Sequence, residues 1–382
     1  MTSRHLALAA GGIVLAATLV ATVGALGRPG AERPPAPPAP VSADEHAATI
    51  AALRPPKRAR PVVAVLGYSG GTETTDYIVP YGVLRQSGVA EVVAVATAPG
   101  PLPLMPALTI QPQATTAEFD ARHPAGADYV IVPAMHRADD PAVLSWVRAQ
   151  AAVGATIVGV CDGTLVLAAA GLLDDHRATG HWYALGDLRD DHPATEWVRD
   201  RRFVVDRGVA TTTGITASIP VSLALVEAIA GRARAEAVAR ELGVTRWNAD
   251  HDSGAFRLDT RHVRTAAGNW LAFWSHETVG LAVEPGVDEI ALALVADAWS
   301  RTYRSQAMAV TTGMGTVATR RGLTLVPDRG AEGVDRMLSP LVTERPAHAL
   351  DVALEDIGGR YGRPTAAFVA LQLEYPFAAT QP

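Results

Sequence analysis

The stretch ATIVGVCDGTLVLAAAGLL, residues 155–173, holds the only cysteine of the 382-residue chain. Its first part, through Val160, is the apolar, β-branched kind of run that forms a strand covered on both faces. Asp162 and Gly163 interrupt the run, and from Leu165 the sequence reads as an apolar helix. Cys161 therefore stands at a strand-to-helix corner. Such a corner projects a side chain beyond the edge of a parallel sheet, with backbone N–H groups and the positive end of a helix beside it. Gly163 lets the backbone pass close to the turn. Asp162 opposes this, because a carboxylate next to sulfur disfavours the thiolate. A single cysteine excludes an intramolecular disulfide and a multi-cysteine zinc site, so the thiol is either packing or reactive.

Working outward, PVVAVLG (61–67), AEVVAVATAPG (90–100) and ADYVIVPA (127–134) are further strand-like runs. Helical spacing over 76–85 and DDPAVLSWVRAQAAVG (139–154) separate them, the latter with Pro141 just inside and Gly154 just past its end. Strands alternating with helices predict an α/β fold, a flavodoxin-like parallel sheet with helices on both faces. In such sheets the ligand crevice lies beyond the carboxyl ends of the strands, where both Gly67–Gly71 and Cys161 fall.

Hydrophobic residues make up 48% of the chain and charged residues 19%, enough apolar material for a sizeable core. A net charge of −6 without a basic domain argues against a nucleic-acid partner. The one basic stretch, RPPKRARP (54–61), reads as a solvated linker. Leu6–Gly27 carries no charge and is long enough for a bilayer of ~30 Å. Residues 1–27 are therefore expected to be a signal anchor, making a single-pass membrane protein with its globular part outside the cytoplasm. The alternative is export after cleavage behind Ala25. Residues 28–60 form a Pro-rich linker, with one short helix in SADEHAATIAAL (42–53).

The segment PAVLSWVRAQAAVGATIVGVCDGTLVLAAAGLLDDHRATGHW (141–182) resembles the cysteine elbow of the ThiJ/PfpI family, in the class I glutamine amidotransferase-like superfamily. Within it, the segment is most similar to the isocyanide hydratases and the amidase-like domains of AraC-type regulators. FVVDRGVATTTGITASIPVSLALVEAIAGRARAEAVAREL (203–242) is similar to the family's last hairpin and helix pair, and TTDYIVPYGVLRQSG (74–88) to its first helix. The resemblance covers 61–245. It implies a nucleophilic or redox Cys161, with Asp76 as the acid facing it, Glu73 as a competitor for that role, and His181 close by. Gly70, Ala134 and Gly163 are the implied pocket and oxyanion positions. Three departures bear on activity, one of them Val221, which stands near where many related proteins have Asp. Asp162 follows the cysteine where related proteins have His or Thr, and VPAMH (132–136) replaces Val-Pro-Gly-Gly.

Residues 246–382 do not continue as the helix-turn-helix units of the regulators. Instead SQAMAVTTGMGTVATRRGLTLVPD (305–328) echoes 90–113, and ALDVALEDIGGRYGRPTAAFVALQLEY (349–375) echoes 218–244. This predicts a second, smaller α/β domain, a degenerate repeat without a cysteine. Trp270 and Trp274 are expected to fill an interface. His251, Asp252 and His262 have no compact ligand spacing, so no metal is expected. The chain contains no phosphate loop, dinucleotide fingerprint or serine elbow, so no cofactor is expected either. Two functions stay open. One is a cysteine-dependent hydrolase or hydro-lyase acting through Cys161 on a small carbon–nitrogen or carbonyl compound. The other is a catalytically silent metabolite- or redox-sensing module. The expected partners are a small-molecule ligand, the membrane and a second copy of the chain.

Overall fold

A computed structural model describes residues 38–313, 315–328, 333–338 and 345–377. The first half is built on a seven-stranded sheet in the order β11-β12-β8-β7-β1-β3-β6. Its strands are β1 (Val62–Gly67), β3 (Glu91–Ala96), β6 (Ala114–Thr115), β7 (Tyr129–Val132), β8 (Thr156–Gly159), β11 (Phe203–Asp206) and β12 (Val209–Thr212). All neighbours run parallel except the β11–β12 hairpin. The α/β, parallel-sheet expectation is therefore met. β1, β7 and β8 are buried along their whole length, which is why they read as unbroken apolar runs rather than alternating ones.

Helix α1 (Ala43–Ala52) precedes the sheet, and α2 (Thr74–Ser87), α3 (Thr116–Arg122), α4 (Pro141–Ala152), α5 (Gly163–Ala169) and α6 (Leu185–Asp191) connect its strands. α7 (Ser218–Ala230) and α8 (Arg232–Leu242) close the first half, and β9 (Arg177–Ala178) with β10 (Glu196–Trp197) is a small accessory pair. Asp140 starts α4 by accepting the amides of Ala142 and Val143, and Gly154 leaves the turn after its end at φ 85°, so both ends fall where Pro141 and Gly154 place them. The basic stretch is solvated only in part: Arg54 and Arg60 are exposed, whereas Lys57 and Arg58 are tied down. Lys57 Nζ donates to the carbonyls of Ala125 and Ala127 at 2.9 and 2.6 Å, and Arg58 pairs at 2.5 Å with Asp128, which is fully buried.

The second half carries α9 (Thr260–Leu271), β13 (Glu277–Ala282), α10 (Glu289–Ser300), β14 (Ser305–Val310), β15 (Val317–Ala318), β16 (Thr324–Leu325), β17 (Arg336–Met337), α11 (Ala349–Tyr361) and α12 (Arg363–Gln372). It has its own parallel sheet, β14-β13-β17. A third sheet joins the halves in the order β15-β16-β5-β4-β2, where β2 is Thr72–Glu73, β4 is Leu102–Met105 and β5 is Thr109–Gln111. α10 lies on α2, and residues of both contribute to one continuous core. With a neighbour on every side, Thr74–Leu84 is buried throughout, so α2 lacks a solvent stripe.

Two expectations are corrected here. Trp270 and Trp274 fill no interface among the described residues, being 42% and 77% exposed. The membrane-anchored location is not supported either, because no helix among the described residues is long and apolar enough to cross a membrane. The longest of them, α2 with 14 residues, reaches only ~21 Å at ~1.5 Å per residue. Leu6–Gly27, on which that expectation rested, lies outside the described residues.

Candidate active site

β8 ends at Gly159, and the turn from Val160 to Gly163 delivers Cys161 in a left-handed conformation, φ 56°. Non-glycine residues avoid this region, and a cysteine held there is backbone strain that the surrounding structure must fix. Two contacts supply the constraint. The Cys161 amide donates to Thr212 Oγ1 at 3.0 Å, and the Gly163 amide closes the turn on the Val160 carbonyl at 2.8 Å. Gly163 is required by packing, since a Cβ there would lie 2.0 Å from the Val132 carbonyl oxygen. That contact lets α5 start against the end of β7.

The thiol is 5% exposed. Burial pushes it up from the ordinary thiol range, and the carboxyl groups of Asp76, Asp162 and Glu73 push the same way. The Asp162 amide, hydrogen-bonded to the sulfur, acts in the opposite direction. The resting form is the thiol.

Asp76 sits in the first turn of α2 and is completely buried. One carboxyl oxygen, Oδ2, accepts the Ala134 amide at 3.1 Å; the other, Oδ1, has no hydrogen-bond partner among the described residues. Burial raises its pKa well above the carboxylate range, the Ala134 amide opposes this, and Asp297 adds to it. Asp76 is thus a carboxylic acid with a free oxygen in electrostatic reach of the thiol. Glu73 is the N-cap of α2 rather than a solvated loop charge. Its Oε2 accepts the Asp76 amide at 2.6 Å and the Thr75 hydroxyl at 2.9 Å, and its Oε1 takes Arg301 at 3.0 Å. These bonds commit Glu73 to holding the start of α2 and leave Asp76 as the buried carboxyl of the pair with an unpartnered oxygen.

His181 is brought to the elbow. One donor atom each of Cys161, Asp162 and His181 lies within 4.8 Å of the others, the only such group of His, Cys, Asp or Glu among the described residues. A thiolate, a carboxylate and an imidazole are donor types that zinc accepts, so these three could hold a metal ion. His181 Nε2 lies 3.2 Å from the Gln372 carbonyl, a contact that needs the proton on Nε2, and the Tyr183 amide is 3.4 Å from Nδ1. Asp162 makes no capping bond, and its buried Oδ1 has no partner.

The implied oxyanion donors fare differently. The Ala134 amide is taken by Asp76, the Gly163 amide by Val160, and Gly70 lies exposed against the Tyr68 ring. The remaining donor at the sulfur is the Asp162 amide. His251, Asp252 and His262 do not converge. His251 pairs with Glu374 at 2.9 Å, while Asp252 and His262 cap separate turns.

Sequence reasoning missed what the second half brings. Arg301, just after α10, binds Asp297 at 2.6 Å and Glu73 at 3.0 Å. Burial works against its charge, but Asp297 and Glu73 keep it protonated. Thr75 Oγ1 also donates to Asp297 at 3.2 Å. The signal was one Asp inside EIALALVADAWSR, an otherwise apolar helix with an Arg four residues on.

Residues 62–228 match the DJ-1/PfpI family. The chain contains a DJ-1/PfpI family domain, with the elbow cysteine in the position described above. Over 104 residues the sequence is 41% identical to an isonitrile hydratase of Pseudomonas putida, covering 27% of this chain and 44% of that protein. Over 126 residues it is 34% identical to the HTH-type transcriptional regulator CdhR of Pseudomonas aeruginosa, covering 33% and 37% respectively. The matched stretches thus span less than half of either relative. Among solved structures, a ThiJ/PfpI family protein from Pseudomonas syringae is 26% identical with a TM-score of 0.46, covering 56% of this chain and 87% of that one.

Proposed function

We propose that the protein is a cysteine-dependent hydro-lyase or hydrolase acting on a small, uncharged carbon–nitrogen compound. The observation that carries this reading is the strained elbow thiol set near a buried acid, Asp76, whose Oδ1 has no partner. A group poised in this way can exchange protons during reaction without first breaking a hydrogen bond. The similarity to an isonitrile hydratase supports the substrate class.

For an isonitrile, R–N≡C, the steps balance as follows. The Cys161 sulfur bonds to the terminal carbon, Asp76 gives its proton to that carbon, and the thiol proton passes to Asp76. This yields a thioimidate, R–N=CH–S. Water then adds to the same carbon, the C–S bond breaks, and R–NH–CHO leaves with Cys161 again a thiol. Asp76 ends each half in the acid form that its burial favours.

Electrostatics narrows the substrate further. Glu73, Asp76 and Asp162 act on the thiol, while Arg301 is already bound by Glu73 and Asp297. With Arg301 already paired, an anionic substrate would find no free counter-charge in that cation, so the site favours a neutral one. Incubation with an aliphatic isonitrile tests this: the formamide should form with the wild-type chain and be lost in Cys161→Ser. Equal product from both would end the reading.

A second reading rests on the depth of the thiol, 5% exposed and held protonated. The same pocket would then bind a metabolite without turning it over, as the similarity to a transcriptional regulator suggests. Saturable binding of the isonitrile without formamide release would favour it.

A further inference from the structure

The second half follows the first element by element. In both, a central parallel strand (β1, β13) is flanked by the strand that follows its helix (β3, β14) and, on the other side, by a later one (β7, β17). The connecting helices are α2 and α10. A hairpin comes next in each, β4–β5 and β15–β16. Both halves close with a single 3-10 turn and a helix pair, α7–α8 and α11–α12. The two junctions match in backbone detail. Gly231 has φ 83° and ψ 166°, Gly362 φ 92° and ψ 150°, and each donates its amide to the carbonyl four residues back. Among the described residues the second half has no counterpart of β6, α3 and α4, nor of the stretch that holds β8, the elbow and the β11–β12 hairpin.

The contact between the halves pairs equivalent parts. α2 packs on α10, its counterpart, so closely that a Cβ on Gly82 would lie 2.6 Å from Ile290 Cγ1. β5 pairs antiparallel with β16, its counterpart, with Ile110 opposite Leu325. Like-on-like contact across an approximate dyad is the signature of an isologous interface, here made within one chain.

We propose that residues 277–372 are a reduced internal copy of the 62–228 fold that takes the place of a second subunit and completes the Cys161 site, with Arg301 as a positioning residue. The role for the site rests on the reading of Cys161 given above. Having lost its own elbow, the copy serves the other one. Arg301 neutralises Glu73 and Asp297 where α10 meets α2, and so fixes the turn of α2 that carries Asp76. Gln372 ties the two contacts together: its side chain donates to the Arg301 carbonyl at 3.0 Å, and its carbonyl accepts from His181. The surfaces an isologous dimer would use, α2 and the β5 edge, are already covered.

Two readouts on the full-length chain test this without turnover, so the inference and the catalytic reading can fail separately. Sedimentation at micromolar concentration should give the mass of one chain. A dimer mass would overturn the proposal, because a second subunit would then still be needed. The second readout is iodoacetamide labelling of Cys161. Arg301→Gln should quicken it at least tenfold by loosening the α2–α10 contact that fixes Glu73 and the turn carrying Asp76, and Arg301→Lys, which keeps the charge, should restore most of the slow rate. If Arg301→Gln does not fold, Gln372→Ala replaces it and should raise the rate several-fold. A folded Arg301→Gln, or failing that a folded Gln372→Ala, that labels at the wild-type rate would show that the second half does not act on the site.

Discussion

Asp76 Oδ2 accepts the Ala134 amide at 3.1 Å, while Oδ1 of the same buried carboxyl has no partner. That asymmetry anchors the acid to the end of β7 and leaves its other oxygen available to the site. It also has a thermodynamic consequence. The native pKa of Asp76 is raised, so between the unfolded value and the native one the folded chain binds more protons, and stability falls as pH rises. Asp76→Asn keeps an acceptor for Ala134 and removes the titration. At pH 8 the variant should be more stable than wild type by about 1–3 kcal/mol, with the difference vanishing near pH 4. Thermal unfolding across pH checks this, and a variant that is less stable at pH 8 would contradict it.

The carboxyl groups around Cys161 should discriminate between thiol reagents by charge. Iodoacetamide is neutral and iodoacetate anionic, and the neutral reagent should label Cys161 faster by about tenfold at low salt. Asp162→Thr removes a carboxylate that raises the thiol, and should narrow the ratio and quicken both reactions. Equal rates in the wild-type chain would mean that no carboxyl group acts on the sulfur.

Gly163→Ala should be severe, because its new Cβ would meet the Val132 carbonyl at 2.0 Å at the point where α5 begins. A loss of about 3 kcal/mol is expected, read from denaturant unfolding. A neutral substitution would mean the corner is looser than this packing requires.

Asp128 is fully buried and accepts Arg58 Nη1 together with the amides of Lys57, Arg58 and Val62. Asp128→Ala would strand those donors and should cost about 3–5 kcal/mol. Arg58→Ala removes only one partner, leaves three amides on the carboxylate and should cost less. The order of the two variants in urea unfolding is the check.

The fold of the first half was legible because its strands are buried on both faces, and because the elbow compresses a strand end, a turn and a helix start into a few residues. Asp76 and His181 were legible only through the family resemblance. What could not be read is what arrives from far along the chain. Arg301 lies 228 residues from Glu73, and nothing near Glu73 announces a cation. Ile110 gives no sign that the edge of β5 is completed by Leu325. Lys57 and Arg58 looked solvated because their side-chain acceptors, the carbonyls of Ala125 and Ala127 for one and Asp128 for the other, lie far along the chain. Trp270 and Trp274 looked like interface residues by type, and position alone leaves them exposed.

The central claim, that Cys161 and Asp76 act as one proton-exchanging pair, is tested most directly by the rate of Cys161 alkylation against pH in the wild-type chain and in Asp76→Asn. In the wild type the rate should stay low at neutral pH and rise only in the alkaline range, as burial and the Asp76 carboxyl require. Asp76→Asn should move the midpoint to lower pH. Superimposable curves would mean that the thiol does not sense the carboxyl, and that Cys161 is packing rather than a reactive centre.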